Sequence, residues 1–298
     1  MIPMHQDARG WELHHTDYRA TLTHVAALGG ADLIAFSPPY CDARSYGMGV
    51  SWGDADYAEL GDAVFAALKP GGHALVNVDA PVRIWRFGFG TERGFHPWRL
   101  MLDWAERVGF RVPDRLVFGR RGMPGDYRGR FRNDWEPLLW FQRPGAPGFF
   151  DRQPLAVTTA PYVGAAASMR EHGGRVRHRA ASGHAAEQGL THRGTLWNYG
   201  VAGNGQTGCA ALEAAGHPAR WPYRLAHDIV RCFSPVRGLV CDPFVGAGTT
   251  ALAAIREGRR FIGGDSGARD DVPWVTIAHK MLTDEMSQHT LILESVVI

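Results

Sequence analysis

The stretch Gly238–Thr250, GLVCDPFVGAGTT, reads as a hydrophobic strand that runs into a glycine turn and then into a helix beginning near Thr249. Glycines at a strand-to-helix turn let the backbone approach a bound ligand closely, as in nucleotide-binding folds. Gly246 and Gly248 supply such a turn, but Ala251 stands where a dinucleotide-binding fingerprint has its third glycine. The stretch therefore predicts a nucleotide-like ligand and disfavours a nicotinamide dehydrogenase.

A carboxylate follows at the end of the next predicted strand. This strand, RRFIGGD, ends in Asp265, which comes 17 positions after Gly248. A carboxylate at the tip of the second strand is where a ribose diol is held by two hydrogen bonds. The glycine turn and Asp265 together predict a site for a ligand that contains ribose.

Two prolines end another buried strand in the stretch Asp32–Tyr40, DLIAFSPPY. Proline has no backbone N–H and a fixed φ, so this turn presents its carbonyls and the Tyr40 ring in a fixed way. One interpretation is a proline pair that only terminates the strand. The other is a site made of the Ser37 hydroxyl, carbonyl acceptors and an aromatic face, which suits a planar substrate with an amino group.

Composition indicates a globular protein with a substantial core. The chain has 298 residues, 45% of them hydrophobic, enough for one large α/β domain or two small ones. The formal net charge of +2 indicates no partner by itself. The cysteines Cys41, Cys209, Cys232 and Cys241 have no paired CxxC spacing. Their spacing argues against a zinc ribbon or a disulfide framework and fits a reducing compartment.

The sequence predicts neither a signal peptide nor a membrane-spanning segment. The amino terminus lacks a basic start followed by an apolar run. No stretch of about 18 uninterrupted apolar residues occurs, which is the length a membrane helix needs. We therefore expect a cytoplasmic protein without a membrane partner.

Short apolar runs alternate with helical patterns along most of the chain. The runs that read as strands are Trp11–His14, Leu33–Phe36, His73–Val78, Arg115–Phe118, Pro137–Phe141, Gly238–Cys241 and Arg260–Ile262. Helical patterns lie at residues 57–72, 98–110, 221–233 and 248–259. This alternation predicts an α/β fold with a parallel sheet and helices on both faces. An arginine-rich loop separates the runs at 115–118 and 137–141, and we expect that pair to be antiparallel.

One segment, residues 144–193, departs from this alternation. It is rich in Gly, Ala, Arg and His, has little periodicity and includes the basic run MREHGGRVRHRAASGH. A surface insertion without regular structure is one interpretation. A basic arm that becomes ordered on binding nucleic acid is the other.

Three motifs in a consistent order resemble the amino-methyltransferases of DNA, which transfer a methyl group from S-adenosylmethionine to exocyclic nitrogens. SPPY at residues 37–40 resembles the catalytic motif of this family, and DPFVGAGTT at 242–250 resembles its cofactor motif. GHPARWPYRLAHDIV at 216–230 is similar to a further family segment that helps to close the cofactor pocket. The resemblance covers the chain apart from most of residues 144–193.

The order of the motifs implies a circularly permuted version of the Rossmann-like methyltransferase fold, the β class of the family. Residues 1–143 would form the catalytic half of one domain and residues 194–298 its cofactor-binding half. The fold would then be a mixed sheet with helices on both faces. The insertion at 144–193 would be the region that recognises the target sequence.

The resemblance also implies roles for individual residues. Those expected at the reacting base are Ser37, Pro38, Pro39 and Tyr40. Those expected at S-adenosyl-L-methionine are Asp242, Phe244, Gly246, Gly248, Thr249, Asp265 and His217, with Asp17 near the same pocket. His217 has a second interpretation as a capping or packing histidine. The family more often has Glu where Asp265 stands, and no metal is expected at the site.

A serine before Pro-Pro-Tyr is typical of the family members that methylate cytosine N4, whereas aspartate is more typical of adenine-N6 enzymes. The sequence therefore predicts a cytosine-N4 methyltransferase acting on double-stranded DNA, with adenine N6 as the alternative. A restriction endonuclease of the same specificity is the partner that the resemblance suggests. The remaining alternatives are an RNA or small-molecule methyltransferase and a non-catalytic DNA-binding relative.

Overall fold

In the computed structural model of the chain, nine strands form one mixed sheet. The structure describes residues 4–7, 10–40, 52–80, 82–84, 91–121, 131–158, 167–170, 176–179, 190–200, 210–215, 217 and 221–296. The sheet strands are β1 (His5–Asp7), β2 (Trp11–His15), β3 (Ala31–Phe36), β4 (Leu68–Asn77), β5 (Arg115–Arg121), β6 (Trp135–Gln142), β7 (Leu196–Gly200), β8 (Leu239–Asp242) and β9 (Arg260–Asp265).

The strand order places strands from the early and late parts of the sequence next to each other. It is β1-β2-β9-β8-β3-β4-β6-β5-β7, so the late strands β8 and β9 lie between the early strands β2 and β3. The pairs from β2 to β4 are parallel, whereas β4–β6 and β6–β5 are antiparallel. The mixed sheet and the antiparallel pairing of β5 with β6 confirm the expectations from sequence.

Helices cover both faces of the sheet. They are α1 (Tyr18–Ala27), α2 (Asp54–Ala67), α3 (His96–Asp103), α4 (Ala210–Ala215), α5 (Tyr223–Phe233), α6 (Thr249–Arg256) and α7 (Trp274–Val296). The first three pack on one face, against Ile34 and Phe36 of β3. Helices α4 to α7 pack on the other face, against Leu33 and Ala35. Alternate side chains of one strand thus belong to opposite cores, as expected for a sheet buried on both sides.

Short strands outside the sheet form antiparallel pairs. The pairs are Val82–Ile84 with Thr91–Arg93, Ala156–Thr158 with Leu190–His192, Ala167–Arg170 with Val176–Arg179, and Ala268–Arg269 with Val272–Pro273. A 3-10 turn covers Gln153–Leu155. Two of these pairs lie within residues 144–193, so the described part of the insertion contains regular structure that its composition did not predict. None of the described helices is long and apolar enough to cross a membrane.

Several elements differ from the sequence prediction. Helices α1 and α7 and strand β7 were not predicted. Strand β4 begins at Leu68, which was assigned to the preceding helix. The helix predicted at 98–110 ends as a π-helical turn over Trp104–Val108, and Gly109 then takes a left-handed conformation. Trp104 is fully buried in this turn, where it stacks on Phe110 and packs against Phe141.

We predict that Gly61→Ala destabilises the fold, although alanine is the better helix former by about 1 kcal/mol. A methyl group at Gly61 would overlap the indole nitrogen of Trp104, which donates a hydrogen bond to the Tyr57 carbonyl. Overpacking of this kind costs about 1–3 kcal/mol in the free energy of unfolding, measurable by chemical denaturation.

The control is the same substitution in a Trp104→Phe background, where the indole nitrogen is absent and the loss should shrink. A free energy of unfolding that is unchanged or higher in Gly61→Ala would contradict this packing.

Candidate active site

A cleft opens where β3 and β8 end, at the centre of the sheet. Val240 pairs with Leu33 and Cys241 with Ile34, so the two parallel strands end at the same edge. The cleft is lined by Ser37, which follows β3, and by Asp242, the last residue of β8. The two motifs, distant in sequence, therefore meet in one site, as ligand sites in open α/β sheets usually do.

Most of the residues predicted from sequence line this cleft. They are Asp17, Ser37, Pro39, Tyr40, His217, Asp242, Phe244, Gly246, Thr249 and Asp265. Pro38 and Gly248 are not among the described lining residues. Pro38 is buried. A Cβ at Gly248, where φ is +89°, would contact Ala278 and Met281, so this glycine permits close packing of α7.

A buried polar network supports the Ser-Pro-Pro-Tyr turn on the side away from the cleft. The Tyr40 hydroxyl lies 3.1 Å from Oε2 of Glu136 and 3.3 Å from Oδ1 of Asn77. Trp221 also donates to Oδ1 of Asn77, at 3.2 Å. Glu136 forms an ion pair of 2.5 Å with Arg120, and both side chains are nearly inaccessible to water. Tyr40 is itself only 8% exposed, so its ring is fixed at the cleft wall.

Ser37 lies at the cleft end of this network. Its Oγ is 3.4 Å from the Tyr40 hydroxyl, to which it donates a long hydrogen bond. The adjacent carbonyl of Pro39 accepts a hydrogen bond of 2.8 Å from the Tyr57 hydroxyl, which fixes the turn. When the Ser37 proton points toward Tyr40, the oxygen lone pairs are free to accept a hydrogen bond from a group in the cleft.

Two carboxylates, the buried Asp242 and the partly buried Asp265, face the other side of the cleft. Oδ2 of Asp265 accepts a hydrogen bond from the Gly246 N–H at 2.8 Å, and Oδ1 accepts one from the Gly267 N–H at 2.7 Å. Oδ1 of Asp242 accepts one from the Phe244 N–H at 2.9 Å. Burial raises the pKa of Asp242 to about 7, and the nearby Asp265 adds to this rise. Burial also raises the pKa of Asp265.

This pair of carboxylates favours a positively charged ligand. A cation between two buried acids stabilises their ionised forms and offsets the desolvation that raises both pKa values. The sulfonium and ammonium groups of S-adenosylmethionine meet this requirement, so the charges of the site fit that cofactor.

The His217 ring packs against the glycine turn. A Cβ at Gly246, where φ is +49°, would lie 3.0 Å from Nε2 of His217, so only glycine lets the ring approach. The same ring packs edge-on against Trp274, with centroids 4.3 Å apart. His217 is thus a packing residue that also lines the cleft, and its contact with the cofactor stays a prediction.

Aromatic residues that the sequence did not single out complete the cleft. Tyr18 and Trp52 line the cleft. Together with Phe36 they surround the predicted residue Phe244, at centroid distances of 5.5 to 5.7 Å. Trp221 and Trp274 also line the cleft. Of these aromatic residues, Trp221 lies within the segment HPARWPYRL, which the sequence analysis had related to the cofactor pocket. The others come from distant elements, and nothing in their local sequence marks them.

Asp17 lines the cleft, where the resemblance placed it. Its Oδ1 accepts a hydrogen bond from the Ala20 N–H at 3.0 Å and caps the amino end of α1. The adjacent Thr16 N–H donates to the backbone carbonyl of Asp265 at 3.2 Å. The amino end of α1 is therefore joined directly to the tip of β9.

Part of the arginine-rich loop has a structural role. The arginine-rich loop at residues 118–134, a candidate for DNA contacts, includes residues 122–130, which lie outside the described residues. Arg120, within this loop by sequence, is the buried partner of Glu136, so it is not available to DNA. Phe131 and Arg132 are exposed at the start of the next described segment. Cys41, which follows the SPPY motif, also lies outside the described residues.

Comparison with known proteins identifies the family. A family model described as DNA methylase, N6_N4_Mtase, matches residues 31–269. The orphan methyltransferase M.BamHII of Bacillus amyloliquefaciens is 27% identical over 241 residues, which are 78% of this chain and 82% of that protein. The type II methyltransferase M2.DpnII of Streptococcus pneumoniae is 39% identical over 72 residues, 24% of this chain and 25% of that protein.

Solved structures show the same fold. The PvuII DNA methyltransferase (cytosine-N4-specific) superposes with a TM-score of 0.60 and 18% identity, covering 92% of this chain and 93% of that one. The M1.HpyAVI–SAM complex superposes with a TM-score of 0.55 and 19% identity, covering 91% and 98%. Because the family model spans most of the chain and the cleft fits its cofactor, this protein belongs to the N6/N4 family of DNA methylases, which are S-adenosylmethionine-dependent DNA methyltransferases.

Proposed function

We propose that this protein is a site-specific DNA methyltransferase that methylates the exocyclic N4 of cytosine in double-stranded DNA. The observation that carries the proposal is Ser37, a hydroxyl rather than a carboxylate at the reacting end of the cleft, opposite Asp242 and Asp265. A serine in this position is typical of cytosine-N4 enzymes. The fold likeness to a cytosine-N4-specific enzyme agrees with this proposal.

The chemical problem is that the exocyclic amine is a poor nucleophile, because its lone pair is delocalised into the ring. Hydrogen bonds accepted from its N–H groups localise that lone pair on nitrogen. Ser37 Oγ is suited to this role, and the carbonyl of Pro38 is the proposed second acceptor. The rigid Pro-Pro turn keeps both acceptors in a fixed geometry, so little reorganisation is needed when the base binds.

The bound cofactor supplies an electrophilic methyl group on a sulfonium. The amine nitrogen forms a bond to the methyl carbon as the carbon–sulfur bond breaks, its electron pair stays on sulfur, and the nitrogen loses one proton. This displacement requires no covalent intermediate on the protein. The residues of the cleft therefore act by binding, orientation and acceptance of hydrogen bonds.

Tyr40 connects Ser37 to a buried carboxylate. Ser37 donates toward the Tyr40 hydroxyl, and that hydroxyl lies 3.1 Å from Glu136, so the hydrogen bonds can run in one direction into the protein. This direction leaves the Ser37 lone pairs to the substrate. We assign Tyr40 a second role as the surface on which the target base stacks after it leaves the helix. Stacking on its ring offsets unstacking, which costs a few kcal/mol.

On the cofactor side, each proposed role follows from a contact. Both oxygens of Asp265 accept a backbone N–H, which orients the carboxylate and leaves a lone pair on each for a ribose hydroxyl. Asp242 provides a negative charge for the cationic end of the cofactor. Thr249 also lines the cleft. Phe244 and His217 supply apolar walls.

DNA recognition is assigned to the insertion at 144–193 and to the loop that ends in the exposed Phe131 and Arg132. Arginines in such segments bind phosphates or guanine edges. A restriction endonuclease with the same target sequence stays a prediction.

The first prediction concerns the product. Incubation with S-adenosylmethionine and unmodified DNA, followed by digestion and mass spectrometry of the nucleosides, should reveal N4-methylcytosine. Ser37→Ala should lower the rate by about 100-fold, since an acceptor at the reacting group is lost.

Ser287→Ala is the matched control, because Ser287 is exposed on α7. N6-methyladenine as the product would replace the proposed base and leave the family intact. Methylation of RNA alone would contradict the assignment to DNA.

The second prediction concerns Tyr40→Phe, which keeps the ring and removes the hydroxyl. The Ser37 proton then loses its acceptor. Because one hydrogen bond is lost, we expect kcat to fall about tenfold while the KM for DNA changes little. Steady-state kinetics measure both constants. An increase in KM alone would assign Tyr40 to base binding and contradict a role in orienting Ser37.

The third prediction concerns pH. A cationic ligand binds the ionised form of Asp242, whose pKa is about 7, so cofactor affinity should rise with pH up to about 7 and then level off. The slope below that value is at most about tenfold per pH unit. Asp242→Asn should weaken binding above pH 7 and reduce this slope, as measured by calorimetric titration.

Titration of the cofactor's own groups contributes equally to the pH dependence of affinity in the wild type and in Asp242→Asn. The difference in slope between the two proteins therefore reports on Asp242. An identical slope in both proteins would exclude Asp242 as the titrating group.

A further inference from the structure

Three potential metal ligands face one another between β2 and α1, outside the lining of the cleft. Glu12 and His14 are two positions apart on β2, so their side chains project from the same face of the strand. His24 projects toward them from α1, which packs on that face. None of the three has a role in the proposed methyl transfer.

In this Glu12–His14–His24 cluster, both distances from the Glu12 carboxylate to the two imidazoles are those of neighbouring ligands in a metal site. Oε2 of Glu12 lies 3.3 Å from Nε2 of His14 and 3.1 Å from Nε2 of His24. The ligand atoms of the three residues all lie within 4.8 Å of one another. Donors bound to Zn²⁺ at about 2.0–2.1 Å with tetrahedral angles are separated by about 3.3 Å.

His14 provides the second, independent observation. Its side chain is only 1% exposed, and neither ring nitrogen has a hydrogen-bond partner among the described residues. Buried polar groups without a partner are rare unless they bind an ion or a water molecule.

A hydrogen-bonded cluster without metal accounts for only part of this arrangement. His24 is 3.1 Å from the Glu12 carboxylate with hydrogen-bond geometry, so a simple pair explains that contact. It leaves the His14 ring nitrogens without a hydrogen bond, although Nε2 lies 3.3 Å from the same carboxylate oxygen. A cation shared by all three residues satisfies the His14 nitrogen as well.

We propose that Glu12, His14 and His24 bind a Zn²⁺ ion that joins β2 to α1. Two imidazoles and one carboxylate are suitable ligands for zinc, and a water molecule would fill the fourth position. The ion would anchor the wall of the cleft, because Asp17 at the start of α1 lines it and β2 pairs with β9, which ends in Asp265.

The test is zinc binding by the full chain, produced without a histidine tag and treated with a chelator. Calorimetric titration with Zn²⁺ should show one equivalent bound per chain and an increase in Tm. Glu12→Gln and His24→Gln should each weaken zinc binding by at least about tenfold. Both side chains are partly exposed, at 26% and 17%, so these variants are expected to fold without metal. Co²⁺ in place of Zn²⁺ should give the visible absorption bands of a four-coordinate site.

His192→Gln is the matched control, because His192 is exposed and lies outside the cluster. This control is needed because the chain contains 14 histidines. Absence of stoichiometric zinc binding by the wild type would overturn the proposal. Equal binding by the wild type, Glu12→Gln and His24→Gln would also overturn it, since the zinc would then be bound elsewhere.

Discussion

The parallel pairing of β3 with β8 is the constraint on which the active site depends. These strands are buried on both faces, and their register brings Ser37 and Asp242 to the same edge of the sheet. Asp32 secures the opposite end of the pair. Its Oδ2 accepts hydrogen bonds of 2.8 Å from the Leu239 N–H and from the Lys69 ammonium, which joins the starts of β3, β8 and β4. With the amino ends fixed in this way, the carboxyl ends are free to carry functional groups.

The polar network below Tyr40 is the second feature that fixes the site. It places an ion pair, Arg120–Glu136, in surroundings from which water is nearly excluded. Desolvation makes such a pair a weak source of stability, and a pair of apolar residues of similar volume is often as stable. The ion pair instead fixes the geometry of the site, because Glu136 and Asn77 together determine where the Tyr40 hydroxyl lies. The network also joins Trp221, which precedes α5, to Asn77 of β4.

The two carboxylates of the cleft differ from this ion pair, because burial disfavours their ionised forms. Asp242 and Asp265 are each held by backbone N–H groups, yet burial raises the pKa of both. In the absence of a cation, ionisation of the pair is therefore less favourable than it would be in water. A cationic cofactor relieves this, so electrostatic energy that disfavours the free site contributes to ligand affinity. The same groups thus favour the charged methyl donor over a neutral product that has lost its sulfonium charge.

The sequence by itself determined the family, the motif residues and the type of fold. SPPY and DPFVGAGTT are local patterns, since proline and glycine restrict or free the backbone wherever they occur, and both motifs lie at the cleft as predicted. Apolar runs located β2 to β6, β8 and β9, whereas β1 and β7 were not predicted. Helix α1 was missed because its amphipathic pattern is weak, and the strands within 144–193 were missed because they are short and polar.

Only the tertiary structure decided which side chains share a site. Trp52 and Tyr18 reach Phe244 from separate elements, and Arg120 pairs with Glu136 across neighbouring strands rather than facing DNA. The Glu12–His14–His24 cluster likewise depends on how α1 packs against β2. Backbone preferences act between adjacent residues and can be read along the chain. Contacts between distant side chains depend on strand order and helix packing, which no local pattern specifies.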